Sequence, residues 1–135
     1  MITYYFDSSA LTKLATGEPE TDAVASLSSA DNLWITSDLA RTEVPRAVTR
    51  QGGSVTDALE VLRNMVVIEL DRDIYELAGR IQPDRLRSLD AIHVAAALSL
   101  GSDLTAIVTY DQRLAEAAQL NGIKVLSPGT EPVSA

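Results

Sequence analysis

Along this chain, short apolar runs alternate with longer stretches in which apolar residues recur every three or four positions. Runs at 2–6, 33–36, 66–70, 106–109 and 123–126 are bounded by turn-forming or charged residues and read as strands. The stretches between them carry helical spacing over 10–15, 20–29, 37–51, from 54 onward, 73–82, 88–101 and 111–120. Ser8 or Ser9 is placed to cap the first helix, Ser37 the third and Ser54 the fourth, where Val55, Leu59 and Leu62 form a stripe. Gly17-Glu18-Pro19, Gly52-Gly53, Gly101 and Gly122 stop helices. Pro45 falls inside the third helix and removes one N–H, so a kink or late start is expected there.

The strands are near-continuous apolar runs, as a parallel sheet covered on both faces requires. The expected fold is α/β: a single three-layer α/β/α domain over residues 1–126, with a mostly parallel sheet of about five strands. Residues 127–135 are expected to form a loose, flexible tail.

Composition narrows the chemistry. Hydrophobic residues make up 46% of the 135 positions and aromatics only 4%, so the core is built from Leu, Val, Ile and Ala. The chain has no cysteine, which excludes disulfides and thiolate chemistry. No apolar run is long enough to span a bilayer, and the first residues lack a basic-then-apolar leader, so a soluble, cytoplasmic protein is expected. The net charge of −8 argues against nucleic acid as a partner if the acids are spread evenly. It argues less if several acids share one pocket and bind cations.

Common sites are missing. There is no G-x-G-x-x-G, no P-loop and no G-x-S-x-G elbow. The single histidine, His93, builds no His-rich zinc site. It reads as a helix histidine packed at the edge of the core.

Acids at strand ends are the remaining signal. Ligands of a parallel α/β sheet bind beyond the carboxyl ends of the strands. Asp7 directly follows the first strand, and Asp111 lies just past the fourth. Glu43 sits within the third helix, and Asp90 in the first turn of the apolar helix Ser88-Leu89-Asp90-Ala91-Ile92-His93-Val94-Ala95. Each alone reads as a cap, a first-turn acid or a solvated acid. Gathered, they repel: two charges ~5 Å apart at an effective dielectric of ~20 cost roughly 3 kcal/mol. A hard divalent cation, Mg²⁺ or Mn²⁺, removes that cost and can activate a water for phosphodiester hydrolysis.

Four segments carry a resemblance. Tyr5-Phe6-Asp7-Ser8-Ser9-Ala10-Leu11 resembles the opening of a PIN domain. Thr42-Glu43-Val44 followed by Arg46 and Arg50 is similar to its second acidic motif, with Pro45 as a departure from the pattern. Leu86 to Ala97 resembles the third motif, and Val108-Thr109-Tyr110-Asp111-Gln112-Arg113-Leu114 the fourth, with Asn121-Gly122-Ile123 after it. In length and coverage the chain resembles the VapC toxins of toxin–antitoxin pairs. The resemblance implies a PIN-like fold and a Mg²⁺- or Mn²⁺-dependent endoribonuclease acting on RNA. It also implies Asp7, Glu43, Asp90 and Asp111 as its catalytic, metal-binding quartet, a cognate VapB-type antitoxin that blocks the site, and a homodimer.

Secondary candidates surround the quartet. Arg41, Arg46, Arg50, Arg85 and Arg87 are candidates for phosphate contacts, and Ser8 and Thr109 adjoin the acids. Trp34 is expected in the core or at a dimer contact. An antitoxin would use an amphipathic helix in a groove that the sequence does not locate. Two rival readings stand beside this one. An aspartate-based phosphatase would use Asp7 as nucleophile, but Ser9 stands where the usual second acid belongs. A non-catalytic PIN-like module would bind a partner only.

Overall fold

In the computed structural model, residues 1–130 are described; the 131–135 part of the expected tail lies outside the described residues. Five strands, β1 (Ile2–Phe6), β2 (Asn32–Ser37), β3 (Val66–Ile68), β4 (Ala106–Val108) and β5 (Val125–Leu126), form one all-parallel sheet in the order β3-β2-β1-β4-β5. Helices α1 (Ser8–Thr16), α2 (Thr21–Ala25), α3 (Ala40–Arg50) and α4 (Val55–Arg63) cover one face. Helices α5 (Arg72–Ala78), α6 (Ser88–Leu98) and α7 (Gln112–Leu120) cover the other. The expected three-layer α/β/α fold is the one observed.

Side-chain alternation along β1 splits the core in two. Tyr5 points into a cluster with Ile35, Ile107, Val94 and Leu114. Phe6, its neighbour, points into the other with Leu11, Val44, Val48 and Val108. Trp34 belongs to this second layer, its ring 4.5 Å from that of Phe6. Helix α6 is buried because its inward residues are small: Val94, Ala95, Ala96 and Ala97 are all fully covered. Fully burying one Val or Leu side chain is worth roughly 1.5–3 kcal/mol.

The strand order reverses between β1 and β4. The chain leaves β1 for β2 on one side and leaves β4 for β5 on the other, which opens a crevice beyond the carboxyl ends of the central strands. Phe6 pairs with Val108, so the residues that follow them, Asp7 and Thr109, emerge side by side.

Several local expectations are corrected. Asp7, rather than Ser8 or Ser9, caps α1 by accepting from the Ala10 N–H. Helix α2 is a short turn ending at Ala25, well before residue 29. Ser37 does not cap α3: it closes β2, fully buried, and its hydroxyl is taken by Tyr5. Helix α3 starts at Ala40 and runs through Pro45 to Arg50 without interruption. The carbonyl deprived of its partner by Pro45 belongs to Arg41, an exposed residue that water can serve. On α4, Ala58 and Leu62 face the core while Val55 and Leu59 are exposed. Ser54 caps α4 as expected, by accepting from Thr56 N–H. Ser127 Oγ donates to the Thr109 carbonyl and the Tyr110 hydroxyl to that of Pro128.

Candidate active site

Asp7 is the most deeply set of the four acids, 2% exposed. It ends β1 and begins α1, and every local partner aims at its carboxylate. Oδ1 accepts from Ala10 N–H (3.0 Å) and Ser9 Oγ (2.7 Å); Oδ2 accepts from Thr109 Oγ1 (2.5 Å) and lies 2.9 Å from Ser9 Oγ. Burial nevertheless pushes its carboxyl above the usual range, against the opposing pull of His93 and these donors. Ser9 and Thr109 also tie β1 to β4: Ser9 Oγ accepts from Tyr110 N–H at 2.9 Å, and Thr109 Oγ1 accepts from Asp111 N–H at 3.0 Å.

Asp111 caps α7. Its Oδ1 accepts from the Arg113 and Leu114 N–H groups at 2.9 and 3.1 Å. Its Oδ2 faces Arg87, whose guanidinium also reaches Asp90 Oδ2. Asp90 sits in the first turn of α6, half-buried. Burial and the nearby charge of Asp111 raise its carboxyl above the usual range despite Arg87.

Glu43 comes from the first turn of α3. Its Oε1 accepts from Ser8 Oγ and from His93 Nε2, each at 2.7 Å. Burial acts to raise its carboxyl, but the His93 hydrogen bond and charge, Ser8 and Arg87 outweigh it and hold it below the usual range.

All four acids therefore gather at the carboxyl end of the sheet. Arg87 joins Asp90 to Asp111, Thr109 joins Asp111 to Asp7, and His93 carries the connection to Glu43. Among the described residues, no three His, Asp or Glu side chains stand close enough to enclose a metal ion as arranged.

His93 is the participant that sequence reasoning missed. It is 2% exposed, as a core residue would be, but it bonds an acid of the site. A signal was available: it lies three residues after Asp90, on the same face of α6. Tyr5 was missed too, although it stands two residues before Asp7 on the same strand face.

A cleft of about 610 Å³ opens beside Glu43, lined also by Ser8, Arg46, Arg50 and Tyr110. Arg46 and Arg50 are exposed on α3 and have no ion-pair partner among the described residues. Lys13, also on its wall, is bound to Glu18 and Glu20 and lies over the Tyr110 ring. Of the other candidate cations, Arg41 pairs with Asp38 and lies outside this cleft. A second cavity of about 430 Å³, at the opposite end of the strands beside Asn32 and Trp34, contains none of the acids.

The PIN domain family model matches residues 4–120. Ribonuclease VapC46 of Mycobacterium tuberculosis is 41% identical over 129 residues, covering 95% of this chain and 99% of its own. Ribonuclease VapC35 of the same species is 42% identical over 130 residues, covering 93% and 96%. Among solved structures, the sarcin-ricin loop cleaving toxin VapC20 of M. tuberculosis superposes with a TM-score of 0.72 at 18% identity, over 93% of this chain and 99% of that one. A toxin–antitoxin complex from Klebsiella pneumoniae gives 0.71 at 21% identity, over 95% and 99%. A sheet that reverses between β1 and β4, four acids at that reversal and full-length kinship at this level have one reading: the chain belongs to the PIN domain family and, within it, to the VapC group.

Proposed function

We propose that this protein is an endoribonuclease, the toxin of a type II toxin–antitoxin pair, and that it works with Mg²⁺ or Mn²⁺. The observation that carries the reading is the linked set of Asp7, Glu43, Asp90 and Asp111, with Glu43 opening onto a cleft walled by Arg46 and Arg50. Kinship to proteins named ribonucleases supports RNA as the substrate. The solved Klebsiella complex supports an antitoxin partner. A homodimer and a cytoplasmic location belong to the same proposal; no helix of the described residues is long and apolar enough to cross a membrane.

The chemistry of the donors suits a hard divalent ion, which would have to draw the carboxylates closer together than they stand here. The set offers carboxylate oxygens only, and Asp111 already raises the carboxyl of Asp90, a sign of negative charge not fully neutralised. Arg87 supplies the cation that now faces both acids; it is mostly exposed and free to swing away. Asp7, Glu43, Asp90 and Asp111 would hold the ion. When bound, it supplies a water of lowered pKa and positive charge for the phosphoryl oxygens.

The chain's own residues do the rest. Ser9 and Thr109 keep Asp7 in one orientation. Arg46 and Arg50 line the same cleft as Glu43 and would contact phosphates of a strand bound there. The phosphatase alternative is disfavoured, because Ser9 stands where its usual second acid belongs.

Incubation of antitoxin-free protein with total cellular RNA tests the proposal. Discrete cuts are expected with Mg²⁺ or Mn²⁺ and none with EDTA or in Asp90→Asn. A folded, metal-binding protein that leaves the RNA intact would instead be a partner-binding module.

A further inference from the structure

Behind the acids runs a buried polar chain that the chemistry above does not use. The Tyr5 hydroxyl lies 3.0 Å from Ser37 Oγ and 2.8 Å from His93 Nδ1; His93 Nε2 lies 2.7 Å from Glu43 Oε1. Ser37 and Tyr5 are fully buried, and His93 almost so. The Tyr5 ring also meets the imidazole edge-on, with centroids 5.9 Å apart at 67°. Polar groups this deep destabilise a core unless each is partnered, and here each is. Apolar residues at all three positions would avoid that demand.

The far end of the chain shows what it holds. Both donors to Glu43, His93 Nε2 and Ser8 Oγ, fall on Oε1, while Oε2 accepts no hydrogen bond among the described residues. An ionised carboxylate only accepts, so Nε2 carries a hydrogen. Nδ1 then faces a tyrosine hydroxyl, which can donate or accept to match. The ring is fixed at both nitrogens. A glutamate on an open helix turn otherwise samples several rotamers.

Resting on the metal-dependent ribonuclease reading, we propose that His93, supported by Tyr5 and Ser37, is a positioning residue that holds Glu43 by Oε1 and leaves Oε2 as its ligating oxygen. His93 does not touch substrate in this arrangement; it acts through Glu43.

The test compares the wild type with His93→Leu, His93→Gln and Tyr5→Phe. Cleavage of total RNA is followed in Mg²⁺, and ring ¹⁵N–¹H spectra of His93 are recorded in the metal-free protein, with Glu43→Ala as reference. Losing an outer partner of a metal ligand typically lowers activity about 10- to 100-fold, and that loss is expected in kcat for His93→Leu, with KM near the wild-type value. His93→Gln recovers part of it, because its amide nitrogen can still donate to Oε1. Tyr5→Phe loses less than His93→Leu, and it stands in if His93→Leu fails to fold.

In the metal-free wild type the Nε2–H signal is resolved and exchanges slowly with water; exchange quickens in Tyr5→Phe and in Glu43→Ala. Wild-type cleavage by His93→Leu, equal loss in His93→Gln and His93→Leu, or a ring signal unchanged by Glu43→Ala overturns the proposal. If the wild type cleaves no RNA, the ribonuclease reading fails, and the metal-free spectra alone decide whether His93 holds Glu43.

Discussion

Arg87 spans two carboxylates: its Nε lies 3.2 Å from Asp90 Oδ2 and its terminal nitrogen 3.4 Å from Asp111 Oδ2. A guanidinium so placed competes with any metal ion for the same oxygens. Arg87→Gln is therefore expected to bind Mn²⁺ several-fold more tightly by calorimetry, while melting slightly lower without metal. Saturating metal should close that gap, because binding to the native state stabilises it by linkage. Unchanged or weaker affinity in the variant would show that Arg87 does not occupy the cation's place.

The raised carboxyls of Asp7 and Asp90 set a sign for stability against pH. A group whose native pKa is raised holds its proton more tightly when folded, so its contribution is fully present below the unfolded pKa and is lost as pH rises through the native one. Without metal, Asp7→Asn and Asp90→Asn are thus expected to melt a few degrees higher at neutral pH. That gain should shrink toward zero as the pH falls below the ordinary carboxylate range. Thermal melts from acid to neutral pH check this; lower melting temperatures for both variants at neutral pH would show that the hydrogen bonds these carboxylates accept outweigh the cost of the charge they bury.

Glu43 has the opposite sign. Its lowered carboxyl contributes stability above the unfolded carboxylate range and loses it as pH falls through the lower native value. Metal-free Glu43→Gln should melt below the wild type at neutral pH and converge with it in acid. A higher melting temperature at neutral pH would contradict the pairing with His93.

Thr109 serves two acids with one hydroxyl, donating to Asp7 and accepting from the Asp111 N–H. Thr109→Val keeps the shape and strands both partners in a buried place, which typically costs about 1–3 kcal/mol. Denaturant melts should register that loss, and cleavage should fall with it. A neutral effect on both would mean that the β1–β4 stitch is dispensable.

Arg46 and Arg50 are expected to act on binding rather than on chemistry. Each alanine substitution should weaken RNA binding across sequences and reduce the slope of log affinity against log salt by about 1. Titrations at several salt concentrations decide it. An unchanged slope would remove these side chains from the RNA path.

Much of this site could be read from the residues in order. Asp7 and Asp111 were legible because a parallel sheet places its ligands at strand ends, and both stand one to three positions past an apolar run. Asp90 was legible as a charge at the mouth of an otherwise apolar helix. What stayed hidden depends on contacts between distant segments. Tyr5 and His93 are 88 positions apart, and nothing local in either shows that they meet. Ser37 looks like a helix cap because the strand's end and the helix's start differ by three residues, a distance that periodicity cannot resolve. Val55 and Leu59 fit a helical stripe with Leu62, but the face that packs inward is the one carrying Ala58 and Leu62, which only the contacts with other elements decide. The pairing of Arg87 with two acids required the β4–α7 loop to be brought beside α6.

Hydrolysis by a metal-activated water, as proposed, leaves its mark on the chemical ends of the cut RNA. Antitoxin-free protein is incubated with total RNA and Mn²⁺, beside EDTA and Asp90→Asn controls, and the new termini are analysed. Attack by water predicts metal-dependent cuts that carry no 2′,3′-cyclic phosphate and persist when the 2′-hydroxyl at the cut site is replaced by hydrogen. Cyclic phosphate ends, or cuts that survive EDTA, would contradict it.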